Sequence, residues 1–162
     1  MTIHITGSGI DFSGQQTNNA SMTSEVLDQY EEGTWSPTYT TTGVNTTVTY
    51  SVQQGWYVRT GQHLKCWWNI QTNDVNPWNG TYIQMGGLPF AAINNRIAGY
   101  VTQAYDFGDD TPIFAINAAT TRFYLTYRDA ADGRTEVLRS NDMANGSAKN
   151  TCEGFLDLQI AS

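Results

Sequence analysis

From Thr34 onward the chain consists of short runs rich in Thr, Val, Tyr and Ile, each closed by turn residues. Examples are TWSPTYTTT (34–42), NTTVTYSVQ (45–53) and QHLKCWWNIQTN (62–73), and clusters such as NPWNG and DAADG separate such runs. β-Branched and aromatic residues favour strands, whereas Gly, Asn, Asp and Pro favour turns. Roughly eight or nine short strands at this spacing predict an all-β fold, an antiparallel β-sandwich or jelly roll, and exclude a parallel βαβ architecture.

The N-terminal residues have a different pattern. IHITGSGIDFSG (3–14) alternates apolar and polar residues in two short pieces around a Gly-Ser-Gly turn. Strands this short cannot bury much surface within one chain. We therefore expect an intertwined β stem in which copies of the chain pack four side chains against one another. These are Ile3, Ile5, Ile10 and Phe12.

One segment favours a helix. MTSEVLDQY (22–30) offers Thr23 or Ser24 as a cap and a single apolar stripe, and Gly33 follows it. Residues 1–33 contain no Lys or Arg but five acids, namely Asp11, Glu25, Asp28, Glu31 and Glu32. The remaining residues are almost neutral. This asymmetry predicts a stem with a linker helix over 1–33 and a β head domain over 34–162.

The overall charge restricts the partners. A formal net charge of −7 and only eight Lys plus Arg argue against nucleic acid, which requires clustered bases. No apolar run approaches the roughly 20 residues of a membrane span, and the start lacks the features of a signal peptide, so we expect synthesis in a cytoplasm and no membrane insertion. Cys66 and Cys152 lack a CxxC spacing, which favours two buried thiols over a disulfide and indicates no metal or cofactor.

Three segments carry a family resemblance. GSGIDFSG, MTSEVLDQYEEGTWSPTYT and VTYSVQQGWYVRTGQHL together resemble a C-terminal module of bacteriophage tail-fibre and tailspike proteins, frequent among phages of aquatic hosts. Residues 7–64 follow the family pattern closely, with departures at Val26, Gln29, Ser36 and Thr60. From about residue 65 the match weakens to a general β pattern, until NGSA and GFLDLQI resemble the closing strand.

The resemblance implies a homotrimeric, non-enzymatic head at the distal end of a fibre. Its partners would be two further copies of itself, the upstream fibre shaft, and the host surface polysaccharide or lipopolysaccharide. Such a head is made in the host cytoplasm and resides in the virion. Near a threefold axis, we expect Glu31 and Glu32 to point away from the axis or to bond backbone N–H groups, since their charges would otherwise repel.

The segment TNDVNPWNGTY (72–82) is the strongest candidate for glycan binding. An aromatic ring can stack on the apolar face of a sugar, while short amides and carboxylates bond its hydroxyls. The candidate residues are Asp74, Asn76, Trp78, Asn79 and Tyr82. The alternative is an ordinary polar turn, because Asn, Pro and Gly are common turn residues.

Other chemistry-bearing residues point to ordinary roles. Trp67 and Trp68 must face opposite sides of a strand, and Trp56, Trp67 or Trp68 would mark a binding patch if exposed. Core or subunit interface is the commoner place for such residues. Asp106, Asp109 and Asp110 lack the frame of a calcium loop, so a solvated turn is expected.

The leading functional hypothesis is a receptor-binding head that recognises host glycan. The alternative is a structural clamp that trimerises and folds a fibre without a ligand of its own. A third, a polysaccharide depolymerase, requires two carboxylates facing each other across a cleft, which nothing in the spacing predicts. The two histidines, His4 and His63, have no serine in a GxSxG elbow to form a catalytic triad.

Overall fold

The computed structural model describes residues 4–7, 9–11, 26–27, 30–41, 47–76, 80–117 and 121–160. Three short strands form a small antiparallel sheet in the order β1-β2-β3. They are β1 (His4–Thr6), β2 (Gly9–Asp11) and β3 (Val26–Leu27).

The other ten strands lie in a single antiparallel sheet. They are β4 (Tyr30–Trp35), β5 (Thr38–Thr41), β6 (Thr47–Thr60), β7 (His63–Asn76), β8 (Ile83–Gly86), β9 (Ala92–Tyr105), β10 (Phe114–Asn117), β11 (Phe123–Arg128), β12 (Thr135–Val137) and β13 (Lys149–Ile160). Their order is β4-β6-β7-β13-β9-β10-β11-β8-β5, and β12 pairs with β11. The one helical element among the described residues is a 3₁₀ turn, Ser140–Asp142.

The large sheet curls into a half-barrel. The connection from β4 to β5 joins its two edges, and side chains of β6 bond across the opening. The Gln53 amide donates to the Pro37 carbonyl at 2.9 Å, and the Tyr39 backbone N–H donates to the Tyr50 hydroxyl at 2.8 Å. The inner face of the curl therefore encloses the core, while the outer face of the central strands is left to solvent.

Strand β7 shows how the sequence determines the two faces. Its side chains alternate, so that Leu64, Cys66, Trp68 and Ile70 are buried while His63, Lys65 and Trp67 are exposed. Trp67 is 42% exposed and its neighbour Trp68 only 2%. The prediction that these two indoles face opposite sides is confirmed, because successive side chains of a strand point to opposite faces.

Large and small residues alternate across the inner face. Trp35, Gly55, Trp68 and Gly154 lie opposite one another on four adjacent strands, β4, β6, β7 and β13. A Cβ atom at Gly55 would overlap the Trp35 ring, and one at Gly154 would overlap the Trp68 ring. Each indole thus lies over a glycine, and this is how two tryptophans fit side by side within the curl.

The predicted all-β antiparallel fold is confirmed, whereas the predicted helix over 22–30 is wrong at the described residues. Val26 and Leu27 form β3, paired with Asp11 and Ile10, and Tyr30 begins β4. A two-turn helix is unstable unless it docks, whereas pairing with β2 supplies ladder hydrogen bonds. The jelly roll and the homotrimer stay predictions. The predicted boundary after Gly33 falls inside β4, and the division into stem and head likewise stays a prediction.

The predicted stem is partly described. Ile5 on β1 lies opposite Ile10 on β2, and its side chain is 85% exposed in the single chain. Ile3 and Phe12 lie outside the described residues, and so does the side chain of Ile10. In the described part of the chain, no helix is long and apolar enough to cross a membrane.

Candidate functional site: an aromatic row on the outer face

Four aromatic side chains form a continuous row across the outer face of the sheet. Trp56 on β6 lies opposite Trp67 on β7, Trp67 opposite Phe155 on β13, and Phe155 opposite Tyr100 on β9. All four are between 37% and 61% exposed. Because directly opposite residues of antiparallel strands project from the same face, these rings form one surface, called here the aromatic row.

The aromatic row lies on a rigid support. Its strands β6, β7, β13 and β9 are the long central strands of the sheet, and the buried Trp35 indole N–H donates to the Trp67 carbonyl at 3.1 Å from the inner side. Within the row, the rings of Tyr100 and Phe155 have centroids 5.8 Å apart. The rings are therefore held by the sheet and not by a loop, which favours a preformed surface.

A charged row borders the aromatic row on one side. Glu32, Val58, Lys65 and Asp157 lie opposite one another on β4, β6, β7 and β13. The Lys65 Nζ is 4.0 Å from Asp157 Oδ2, and the Nδ1 of His63 is 3.4 Å from Asp157 Oδ1. Asp157 is thus the acceptor group closest to the centre of the aromatic row on this side.

An amide row borders it on the other side. Its members are Gln54, Asn69, Glu153 and Gln103, again opposite one another on β6, β7, β13 and β9. The Asn69 amide donates to Glu153 Oε1 at 2.9 Å. Donors and acceptors for hydroxyl groups are therefore present on both sides of the aromatic rings.

A groove of about 230 Å³ lies where the aromatic and charged rows meet. It is lined by Lys65, Trp67, Phe155 and Asp157. Two aromatic walls with an ammonium and a carboxylate beside them can hold a ligand that has an apolar face and polar edges. A sugar ring has this character, since its C–H groups stack on aromatic rings and its hydroxyls bond to polar side chains.

The structure describes three of the five residues predicted to bind glycan. Asp74 and Asn76 are exposed near the end of β7, opposite Thr49 and Thr47, and Trp78 and Asn79 lie outside the described residues. Tyr82 is exposed before β8. This predicted site stays a prediction.

The Tyr82 ring has neighbours of its own. The guanidinium of Arg139 lies 4.8 Å from the ring centroid of Tyr82, and the Tyr124 ring packs edge-on at 6.1 Å. Arg139 also donates to the carbonyl of Gly80 at 3.3 Å. One face of Tyr82 is therefore covered by Arg139, which leaves less of the ring for stacking than the members of the aromatic row have.

Sequence reasoning missed half of the aromatic row. It singled out Trp56 and Trp67, but not Phe155 or Tyr100, which lie far away in the chain. The available signal was the alternation in GFLDLQI, which places Phe155 and Asp157 on the face opposite Leu156 and Leu158. Alternation shows which residues share a face of one strand but not which strand lies beside it.

The acids at the start of β4 bond to tyrosines. Glu31 accepts a hydrogen bond from the Tyr57 hydroxyl, and Glu32 accepts one from the Tyr30 hydroxyl at 3.0 Å. Their described partners are thus phenolic hydroxyls, whereas the prediction was a direction away from the axis or bonds to backbone N–H groups. Their position relative to a threefold axis stays a prediction.

The acids of the 106–112 turn show no metal-binding arrangement. Asp106 is 3.6 Å from the Lys149 ammonium, and no group of three metal-ligating side chains occurs among the described residues. The nearby Asp142 is buried, and burial raises the pKa of its carboxyl above the usual range. The charges of Asp110 and Asp109 add to this, while a hydrogen bond from the Arg139 backbone N–H opposes it.

The two cysteines are free and fully buried on the inner face, which confirms the expected thiols. Burial raises the pKa of both Cys66 and Cys152 to about 12. The Trp68 indole N–H also donates to the Cys152 sulfur at 3.4 Å. These thiols are packing groups and not nucleophiles at neutral pH.

Comparison of the chain with protein-family models, with curated proteins and with solved structures found no match.

Proposed function

We propose that the chain is the receptor-binding head of a bacteriophage tail fibre, which attaches as a homotrimer to polysaccharide or lipopolysaccharide on the host surface. The sequence resemblance of residues 7–64 suggests the fibre, and the exposed aromatic row supports the ligand. Nucleic acid is a poor alternative ligand, because the chain has a net charge of −7.

The aromatic row is the observation that carries this proposal. Exposed aromatic surface usually marks a site of interaction. Trp56 and Trp67 present rings on the outer face, and the flanking rows provide carboxylates, amides and an ammonium within the same surface. Sugars require this combination, whereas a purely apolar partner would remove water from Asp157 and Glu153 and offer no hydrogen bonds in exchange.

Trimerisation fits the stem. Ile5 is almost fully exposed in the single chain, and a three-stranded sheet of this size cannot form a core of its own. Burying Ile5 between copies would remove this exposed apolar surface from water. The proposed assembly then has a jelly-roll head in which each of the three copies presents an aromatic row. Three weak sites in one assembly bind a surface more tightly than one site does, because the second and third binding events are intramolecular. The same exposed Ile5 favours the alternative function, a trimerisation clamp without a ligand.

One pair of variants tests the glycan function. Trp67→Ala removes the central indole of the row, and Tyr105→Ala removes an aromatic ring of similar exposure on the same face of β9, outside the row. We expect Trp67→Ala to weaken attachment to immobilised host cells at least tenfold and Tyr105→Ala to leave it within about twofold.

Light scattering on the same samples reports the mass of the assembly. A trimer that attaches to no host surface would support the clamp instead. A monomeric wild-type chain would contradict the trimer in either function.

A further inference from the structure

We infer that the aromatic row binds uncharged oligosaccharides laid across the strands and discriminates against acidic ones through the carboxylate of Asp157. This inference rests on the proposed function and names the class of glycan. It depends on the length of the row and on the signs of the charges beside it.

The row is longer than one sugar. Its four rings lie on four adjacent strands, β6, β7, β13 and β9. Neighbouring strands are about 4.8 Å apart, so the first and last rings are separated by roughly 14 Å. A single pyranose covers one ring, whereas a chain of sugars running perpendicular to the strands contacts successive rings.

Carboxylates outnumber ammonium groups in the two rows that border the aromatic row. The charged row contributes Glu32, Lys65 and Asp157, and the amide row contributes Glu153. The single ammonium of these two rows already has Asp157 as its neighbour at 4.0 Å. Among the described side chains that line the groove, Lys65 is the one cation, and Asp157 already pairs with it. A uronate, sulfate or phosphate there would therefore meet the Asp157 carboxylate, and like charges at short range repel.

Asp157 has a positive role for a neutral ligand. An ionised carboxylate only accepts hydrogen bonds, and its two oxygens have capacity beyond His63 and Lys65. Sugar hydroxyls can donate to it directly beside the walls formed by Trp67 and Phe155. The group that favours hydroxyl donors is thus the same group that rejects anions, which makes Asp157 the residue that determines specificity.

Matched polysaccharides test the inference. The probes are glucan with glucuronan, mannan with mannuronan, and galactan with galacturonan, each pair differing in the carboxylate at C6. Affinity electrophoresis of the whole chain measures retardation by each. We expect at least one neutral polymer to bind at least tenfold more tightly than its uronate, and Trp67→Ala to abolish that binding.

The variant Asp157→Asn keeps the shape of the side chain and removes its charge. We expect this variant to bind neutral and acidic polymers with affinities that differ by no more than about threefold. Added salt should narrow the difference for the wild type as well, because exposed charges are screened. Glu136→Gln, an equal charge removal at an exposed position of β12 away from the groove, should leave this difference in affinity unchanged.

The outcomes separate this inference from the proposed function. Trp67-dependent binding of uronates as tight as that of neutral polymers overturns the charge selectivity and leaves the adhesin intact. So does attachment to host cells without binding of any neutral polymer. No binding to any polymer or host surface overturns both. A Trp67→Ala chain that loses its oligomeric mass identifies the row as an interface between copies and overturns the inference.

Discussion

The Trp68 indole lies over Gly154, the residue directly opposite it on the neighbouring strand. A Cβ atom at Gly154 would overlap the ring atoms of Trp68 and would also lie close to the carbonyl of Tyr100. The place for this indole in the core therefore exists only because residue 154 has no side chain. The outer aromatic row depends on the same packing, since Phe155 follows Gly154 directly.

Replacing Gly154 with alanine should destabilise the fold. The added methyl overlaps a ring and a backbone that are both buried, so we expect a loss of about 1–3 kcal/mol in the free energy of unfolding, as for other overpacked cores. Urea unfolding measures it, with Gly7→Ala as the control, because a methyl there meets no atom of the described residues within 4 Å. The double variant Gly154→Ala with Trp68→Phe should recover part of the lost stability. If the free-energy losses of the two single variants add up exactly in the double variant, the two residues are not in contact.

Asn150 should be one of the most sensitive polar residues of the chain. Its buried amide donates to the Thr72 hydroxyl at 2.8 Å and to the Ala144 carbonyl at 2.7 Å, and it accepts from the Ala144 N–H at 2.7 Å. Its backbone carbonyl accepts from the Tyr39 hydroxyl at 2.9 Å. Asn150 thus ties the loop before β13 to the core of the half-barrel.

Asn150→Ala leaves the half-buried N–H and carbonyl of Ala144 without their partner and removes the buried hydrogen bond to Thr72, so we expect a loss of roughly 3 kcal/mol in the free energy of unfolding. The exposed Asn141 gives the control, Asn141→Ala, with little expected effect. Because Asn150 has a φ of +50°, Asn150→Gly separates backbone strain from lost hydrogen bonds. Asn150→Gly should still be clearly less stable than the wild type, and equal stability would contradict the size of the loss expected from these hydrogen bonds.

The sequence predicts the faces of this fold better than its pairing. Alternation in HLKCWWNI correctly divides Trp67 from Trp68, and the Thr-, Tyr- and Val-rich runs correctly predict antiparallel strands. Pairing of β7 with β13 brings together residues more than 80 positions apart, such as Asn69 and Glu153, and no local pattern encodes such a contact. The aromatic row is therefore visible only once the strand order is known.

The failed helix prediction has a related cause. Val26 and Leu27 fit an apolar helical stripe, but they equally fit a strand, since Val is β-branched and two residues carry no distinguishable period. Tertiary pairing with Ile10 and Asp11 decides between them. The secondary structure of so short a segment depends on the strand with which it pairs, and a single sequence does not indicate which strand that is.

Both cysteines should be unreactive in the folded chain. Burial raises the pKa of Cys66 and Cys152 to about 12, so at pH 8 hardly any thiolate is present, and neither sulfur is exposed. We expect a thiol-exchange reagent to modify neither cysteine within an hour and both in concentrated guanidinium. Rapid native modification of either residue would mean that the β7–β13 pair opens readily.

Alkali should unfold the protein through buried tyrosines. Burial raises the pKa of Tyr50 to about 12 and that of Tyr39 well above its ordinary value of 10. Because the pKa of Tyr50 is higher in the folded than in the unfolded state, its protonated form stabilises the fold. This stabilisation is fully present below pH 10 and is lost as the pH rises through about 12.

Urea midpoints at pH 9 and 11 measure this loss. Tyr50→Phe removes one ionising group, so the urea midpoint of this variant should fall less between pH 9 and pH 11 than that of the wild type. Tyr100→Phe, which changes an exposed ring on the outer face, should decline like the wild type. An identical decline for Tyr50→Phe would exclude Tyr50 as a cause of alkaline unfolding.

Glu31 and Glu32 should protect an edge of the sheet. They lie on β4, which pairs with β6 on one side and, among the described strands, has no partner on the other. Charged side chains on an edge strand discourage pairing with further chains. This role explains why the acids are concentrated at the start of β4, the strand with which the large sheet begins.

The double variant Glu31→Thr with Glu32→Thr removes both charges and leaves residues that favour strands. We expect it to form species larger than the wild-type assembly in a concentration-dependent manner, measured by light scattering between low and high salt. Asp74→Ser with Asp109→Ser removes the same charge from exposed positions away from β4 and should keep the wild-type mass. If both double variants associate equally, net charge alone and not the edge position of the two glutamates keeps the chains apart.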